Sequence, residues 1–303
     1  MWRSLREGHS APADNYGNGA ALYPRFAAST RMTHTSQLAA SDAVAIEIGG
    51  MAIALRTRDL AFRQLLENRY AGFIKPSSSP QFEFDIDLFE PAETARADED
   101  VQVRMQDGQW LLQRGDFRAQ WDARACRGRI RQSRNPYAID SVLRIVHTLI
   151  LARQGGFLVH AASAIRGGHA FLFAGVSGAG KTTISRLAPP DATLLTDEIS
   201  YIRREGNAYR ACGTPFAGEL AKAGENRSAP LHTLFLLEQG LENRIEPVSA
   251  SEATRLLLRN ILFFADDSEL VRMVFQSACE FVERVPVRRL SFVPDKRVWE
   301  MIM

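Results

Sequence analysis

The stretch His169-Ala170-Phe171-Leu172-Phe173-Ala174-Gly175-Val176-Ser177-Gly178-Ala179-Gly180-Lys181-Thr182-Thr183 decides the fold. An apolar run ends in glycines, and these lead to a lysine and two threonines. Residues 175–182 match G-x-x-x-x-G-K-[ST], the phosphate-binding loop. Each residue type has a chemical reason. Gly175, Gly178 and Gly180 let the backbone turn its N–H groups inward around phosphate oxygens. The Lys181 ammonium can reach β- and γ-phosphates, and the Thr182 hydroxyl can coordinate Mg²⁺. A helix over Thr182–Leu187, stopped by Pro189-Pro190, would point its positive end at the anion. Val176, Ser177, Ala179 and Thr183 complete the candidate nucleotide-binding loop. The bland alternative is a glycine-rich turn with an incidental lysine. Lysine is scarce here: Lys75, Lys181, Lys222 and Lys296 are the only four, against 33 arginines. The arginine excess itself reads as codon usage.

A phosphate loop needs a carboxylate near its metal. Asp197-Glu198 supplies one at the end of the apolar stretch Ala192–Thr196, 15 residues after Thr182. Neighbours on a strand point to opposite faces, so one of the pair is expected to contact the metal. The other would sit by the acceptor hydroxyl if the strand bends there. A solvated turn with two acids is the alternative.

Upstream, Phe157–Ile165 is an apolar strand, Arg166-Gly167-Gly168 a turn, and His169–Ala174 a second apolar strand, as in a sheet buried on both faces. Tyr137–Arg153 has helical spacing, ended by Gly155-Gly156. Residues 43–132 read as a small, mostly antiparallel module. It comprises a hairpin about Gly49-Gly50, a short helix capped by Asp59, a strand at Phe82–Leu88 and a meander through Asp107-Gly108 and Gly115-Asp116. It carries no chemical constellation. Residues 1–41 read as an irregular tail, in which Met32 is an alternative start. Downstream, Gly213–Glu219 is a loop that either covers the nucleotide, contacts the acceptor or merely connects strands. Leu231–Leu237 and Val287–Val293 read as strands, Ser251–Ile261 and Ser268–Arg284 as core-packing helices, and Lys296–Ile302 as a short terminal helix. Arg227 is a candidate phosphate partner or a structural residue. His147, His169 and His232 read as bland.

Composition narrows the function. Apolar residues make up 46% and charged residues 24%, as in a globular protein. A net charge of +2 gives no electrostatic case for nucleic acid. No apolar run suits a transmembrane helix. Three scattered cysteines, Cys126, Cys212 and Cys279, suggest a reduced, cytoplasmic protein.

Val159-His160, the hairpin into Gly175–Thr182, and Leu195-Thr196-Asp197-Glu198 together resemble the HPr kinase/phosphorylase superfamily, whose core is related to phosphoenolpyruvate carboxykinase. More narrowly, the chain is similar to the HPr-kinase-related proteins of bacterial peptide clusters, such as lasso-peptide kinases. Gly213–Glu219, Arg227–Leu231 and Val285–Pro294 extend the likeness over roughly residues 137–303. The resemblance implies an α/β P-loop kinase core over 137–303, with residues 42–136 as a β-rich N-terminal module. It implies an ATP- and Mg²⁺-dependent kinase acting on a serine-type hydroxyl of a peptide or protein. Lys181 and the loop amides would hold the triphosphate, and Thr182, Asp197 and Glu198 the metal. His160 would lie near the transferred phosphate, and one of the two acids would be the base. Better-known members carry Asp-Asp, so Glu198 is a departure and leaves the roles open. The long signature of the phosphorylase activity is absent. Related kinases are often oligomeric, so a homo-oligomer is an expectation by analogy. Two rivals stand beside this reading: a kinase of a small molecule such as free serine, and a non-catalytic ATP-sensing module.

Overall fold

The computed structural model describes residues 43–76, 79–90 and 100–302. The tail and the alternative start at Met32 lie outside the described residues, as does part of the loop at 75–80. What is described belongs to one compact unit with two sheets.

The first sheet begins with the expected hairpin, β1 (Ala43–Ile48) and β2 (Met51–Thr57). Helix α1 (Leu60–Arg69) follows, its first turn closed by the Asp59 carboxylate accepting from Phe62 N–H at 2.8 Å. It buries Phe62 and Leu66 and ends at the buried Tyr70. The remaining strands are β3 (Phe82–Leu88), β4 (Gln102–Gln106), β5 (Gln109–Arg114), β6 (Phe117–Asp122) and β7 (Arg127–Gln132). Their order is β1-β2-β3-β7-β6-β5-β4. The meander is antiparallel as expected, but β3 lies parallel to both β2 and β7. Alternation places Phe82, Phe84 and Ile86 on the buried face.

Helix α2 (Pro136–Gln154) opens with Asn135 capping Tyr137 N–H and closes at a left-handed Gly155. Proline in its first turn lacks an N–H that would be unpaired there anyway. Twelve of its residues are buried, because it packs on the second sheet and α5 while also touching β6 of the first.

The second sheet contains β8 (Phe157–Arg166), β9 (His169–Ala174), β10 (Thr193–Thr196), β11 (Ile199–Glu205), β12 (Ala208–Cys212), β13 (Ser228–Gln239), β14 (Arg244–Pro247), β15 (Ile261–Leu262) and β16 (Val287–Phe292). Helix α3 (Lys181–Arg186) follows the glycine-rich loop, and α4 (Ala250–Asn260) and α5 (Ser268–Arg284) precede β16. The terminal segment Lys296–Met301 is a 3₁₀ helix. β9 runs parallel to β13, and β13 parallel to β16. No helix among the described residues is long and apolar enough to cross a membrane.

Strand β8 positions the site. Its first half pairs with β11, with His160 opposite Ile199. Its second half pairs with β9, with Ala161 opposite Ala174. The change of partner therefore falls between His160 and Ala161, beside the point where β9 runs into the glycine-rich loop. Pairing along β8 also skips two residues of the acidic segment. Thr196 lies opposite Ser163 and Ile199 opposite His160, so the register is the same on both sides of Asp197-Glu198.

Candidate active site

The Thr196 hydroxyl explains why the acids leave the ladder. Its Oγ1 accepts from the backbone N–H of Glu198 and of Ile199, each at 3.2 Å. A threonine bonding forward to the backbone in this way makes a local turn. The turn supplies the bend on which the second acid's place depended, and Asp197 and Glu198 line the same cavity.

That cavity, of about 540 Å³, gathers most of the predicted residues. Ser177, Gly178, Gly180, Lys181, Thr182 and Thr183 line it from the loop and α3, His160 from β8, and Asp197 and Glu198 from the turn. Gly175, Val176 and Ala179 are not among its lining residues; Val176 is 72% exposed and Ala179 is buried. Ala217, Gly218 and Glu219 close the far wall.

The loop conformation needs glycine. Gly180 has φ +108°, and a Cβ there would meet the Phe292 ring at 2.7 Å. Gly178 has φ +80°, and its carbonyl accepts from Gln239 Nε2 at 2.8 Å. Lys181 Nζ donates to the Gly175 carbonyl at 2.9 Å and the Val176 carbonyl at 3.3 Å. Burial lowers the lysine pKa, and Glu219 and Glu198 partly oppose that.

Asp197 is 3% exposed and has both oxygens engaged. Oδ1 accepts from Gly218 N–H at 3.0 Å and Oδ2 from Leu220 N–H at 2.8 Å. The carboxylate thus clamps the Gly213–Glu219 loop against the site. Between the two clamped residues, Glu219 reaches α3, where its Oε2 accepts from the Thr182 hydroxyl at 2.8 Å. The fit is tight: a Cβ on Gly218 would lie 2.8 Å from Asp197 Oδ2 and from Glu198 Cβ.

Glu198 keeps its carboxylate free of short hydrogen bonds to the backbone. Its charged partner is Arg144 of α2, with Nη2 3.6 Å from Oε2. Burial raises the Glu198 pKa above the ordinary carboxylate value, Arg144 opposes this, and Asp197 and Asp140 reinforce it. His160 is an exposed residue that opens onto the cavity. Partial desolvation, with the charges of Lys181 and Arg144, lowers its pKa from 6.5 to about 4. Any lowering from 6.5 leaves the imidazole neutral at pH 7.

The sequence reading missed two residues. Glu219 lay inside the loop that was noted, without a role. Arg144 lay within the apolar spacing of α2. Three predicted bystanders are outside the site: His147 in the core, and His169 and His232 with their rings 5.5 Å apart. Arg227 donates to Thr193 Oγ1 at 2.9 Å and does not line the cavity.

These residues suit a magnesium–nucleotide. Among the described residues no three His, Cys, Asp or Glu side chains converge as a self-sufficient metal cage. Mg²⁺ does not ask for one: it commonly takes one or two protein ligands and fills the rest of its shell with phosphates and water. The Thr182 hydroxyl and the neighbouring carboxylates offer that partial set, beside a loop whose positive φ at Gly178 and Gly180 suits glycine.

No curated protein matches the chain. Among solved structures, the Hpr(Ser) kinase/phosphatase from Coxiella burnetii matches at 11% identity, covering 45% of this chain and 84% of that chain, with a TM-score of 0.25. So slight an overlap transfers no activity. A family model described as "SynChlorMet cassette protein ScmC" matches residues 132–303. That segment is more than half of the chain and contains every residue lining the cavity, together with α2. The chain belongs to the ScmC family of SynChlorMet cassette proteins.

Proposed function

We propose that this protein is an ATP- and Mg²⁺-dependent kinase that phosphorylates a serine-type hydroxyl of a peptide or protein. One observation carries the reading: a glycine-rich loop with Lys181 and Thr182 shares a single cavity with His160, Asp197 and Glu198. Phosphoryl transfer is mostly positioning and charge neutralisation, and this set offers both. The acceptor class follows from the resemblance set out in the sequence analysis.

Bound Mg²⁺ would neutralise charge on the β- and γ-phosphates. The protein's own groups then divide the work. Lys181 exchanges the carbonyls of Gly175 and Val176 for phosphate oxygens. Thr182, whose hydroxyl donates to Glu219, would offer its oxygen lone pairs to the metal. Asp197 spends its carboxylate on the Gly218 and Leu220 amides and so fixes the wall of the site. Glu198, with no such backbone bonds, takes the acceptor proton. The neutral His160 donates a ring N–H to the transferred phosphoryl group.

Labelled γ-phosphate should pass from ATP to a serine-containing peptide in the presence of Mg²⁺. The Lys181→Ala protein should lose at least about 100-fold of this transfer while keeping its fold. Transfer by that variant at the wild-type rate would sink the proposal.

A further inference from the structure

We propose that Arg144 is a positioning residue for Glu198, and that the first sheet and α1 serve the active site by fixing the helix that carries it. The proposal rests on the kinase reading above.

Arg144 reaches the cavity from α2, outside the loop and the acidic turn. Its Nη2 lies 3.6 Å from Glu198 Oε2. Its guanidinium carbon stands 4.8 Å from the centre of the Phe216 ring, on the segment that Asp197 clamps. One face of the guanidinium is thus held by an aromatic ring while its edge faces the acid. The side chain is 23% exposed, and its Nε is buried with no hydrogen-bond partner among the described residues. A buried donor without a partner costs free energy. A group serving only to stabilise the fold would be expected to satisfy it. The cost is intelligible if the guanidinium is held for its effect on the site. Its charge also acts on His160, lowering that residue's pKa.

A second cluster lies on α2 one helical turn earlier. Asp140 and Arg144 share a face of α2 at the i, i+4 spacing. Asp140 is buried and accepts from Arg69 Nε at 3.2 Å, from a second Arg69 nitrogen, and from the Tyr70 hydroxyl at 2.6 Å. Arg69 in turn stacks over Tyr137, 4.5 Å from the ring centre. Arg69 and Tyr70 end α1, which packs on β1 and β2. Contacts therefore tie α1 and the first sheet to Asp140 on α2, and one turn further along the same helix Arg144 stands beside Glu198. A misplacement of about 1 Å at a reacting group can cost on the order of 100-fold in rate.

The test compares full-length wild type with Arg144→Gln, Arg144→Lys and Tyr70→Phe. It measures magnesium-dependent ATP turnover with a serine-containing peptide as acceptor, the KM for ATP, and the melting temperature. Arg144→Gln should lower kcat about 10- to 100-fold with the KM for ATP unchanged, and Arg144→Lys should recover part of that loss. Tyr70→Phe, remote from the cavity, should lower kcat several-fold, again without moving KM. If Arg144→Gln does not fold, the reduced kcat of Arg144→Lys at a wild-type melting temperature supports the same conclusion. Wild-type kcat in the folded Arg144 variants, or a loss confined to KM, overturns the proposal and leaves the kinase reading intact. Absence of turnover in the wild type overturns the kinase reading, and this inference with it.

Discussion

Replacing Asp197 by asparagine is a sharp test of how the site is built. The side chain is 3% exposed, and its two oxygens accept separate backbone N–H groups, from Gly218 at 3.0 Å and Leu220 at 2.8 Å. An asparagine has the same shape but only one acceptor end. Whichever way its amide is turned, its NH₂ faces a backbone N–H. One charge-assisted bond is lost, and a donor is left unpaired in a half-buried place. Hydrogen bonds to a charged group contribute about 1.5–3 kcal/mol, and an unsatisfied buried donor costs about 1–3 kcal/mol. These describe largely the same loss, so the expected destabilisation is about 2–3 kcal/mol. For a chain of this size the corresponding drop in melting temperature is roughly 3–5 °C. Urea denaturation and calorimetry of the two proteins measure it. The Glu219–Thr182 contact hangs on the same clamp, so the segment around Gly218 should also exchange its amide hydrogens faster. An Asp197→Asn protein as stable as wild type, with unchanged amide protection at Gly218 and Leu220, would refute the clamp.

Two further outcomes follow from the packing. Gly218→Ala places a methyl group 2.8 Å from both Asp197 Oδ2 and Glu198 Cβ. The wall must retreat by a few tenths of an ångström, so turnover should fall about 10- to 100-fold, with a smaller effect on stability; a fully active Gly218→Ala protein would contradict the geometry. His147 is buried between the Phe82 and Tyr201 rings, and neither ring nitrogen has a partner among the described residues. Burial pushes its pKa from the ordinary 6.5 to about 3. Below pH 6.5 the unfolded chain binds a proton that the folded one refuses, so this residue's cost to stability grows as pH falls toward 3. His147→Leu should remove that dependence, and its advantage over wild type should widen by about 2 kcal/mol between pH 7 and pH 5. Denaturation curves at the two pH values with parallel losses in both proteins would contradict it.

The parts of the site legible in the sequence were those built from local chemistry. Gly175–Thr183 announces a strand, a turn and a helix within 15 residues of His169, and the elements observed there differ from expectation by a residue at most. The hairpin about Gly167-Gly168 carries His160 to the loop for the same reason, since a short turn leaves the two strands one register. Long helices such as Ser268–Arg284 were legible from spacing. What escaped was non-local. Pairing of β3 with β2 and β7 joins segments separated by α1 and by the meander, and alternation within β3 cannot say which neighbours it takes. β14 is four residues with no buried face, so it leaves no periodic signal. Arg144 sits between apolar positions of α2 and resembles a solvated charge until the helix is packed against the acidic turn. Glu219 acquires a role only because Asp197 clamps the residues on either side of it. One missed feature did have a local signal: threonine directly before Asp197 could have been read as a turn-forming hydroxyl, which would have placed both acids on one side.

The most direct measurement of the central claim is the conversion of ATP to ADP, with Mg²⁺ and a serine-containing peptide, by wild type and by Lys181→Ala. Lys181 is held by carbonyls of its own loop, so its removal should leave the melting temperature close to that of wild type. The account predicts Mg²⁺-dependent turnover by wild type, with label appearing on serine, and a loss of about 100-fold or more in the variant. Equal turnover by the two proteins, or none by a folded wild type, would contradict it.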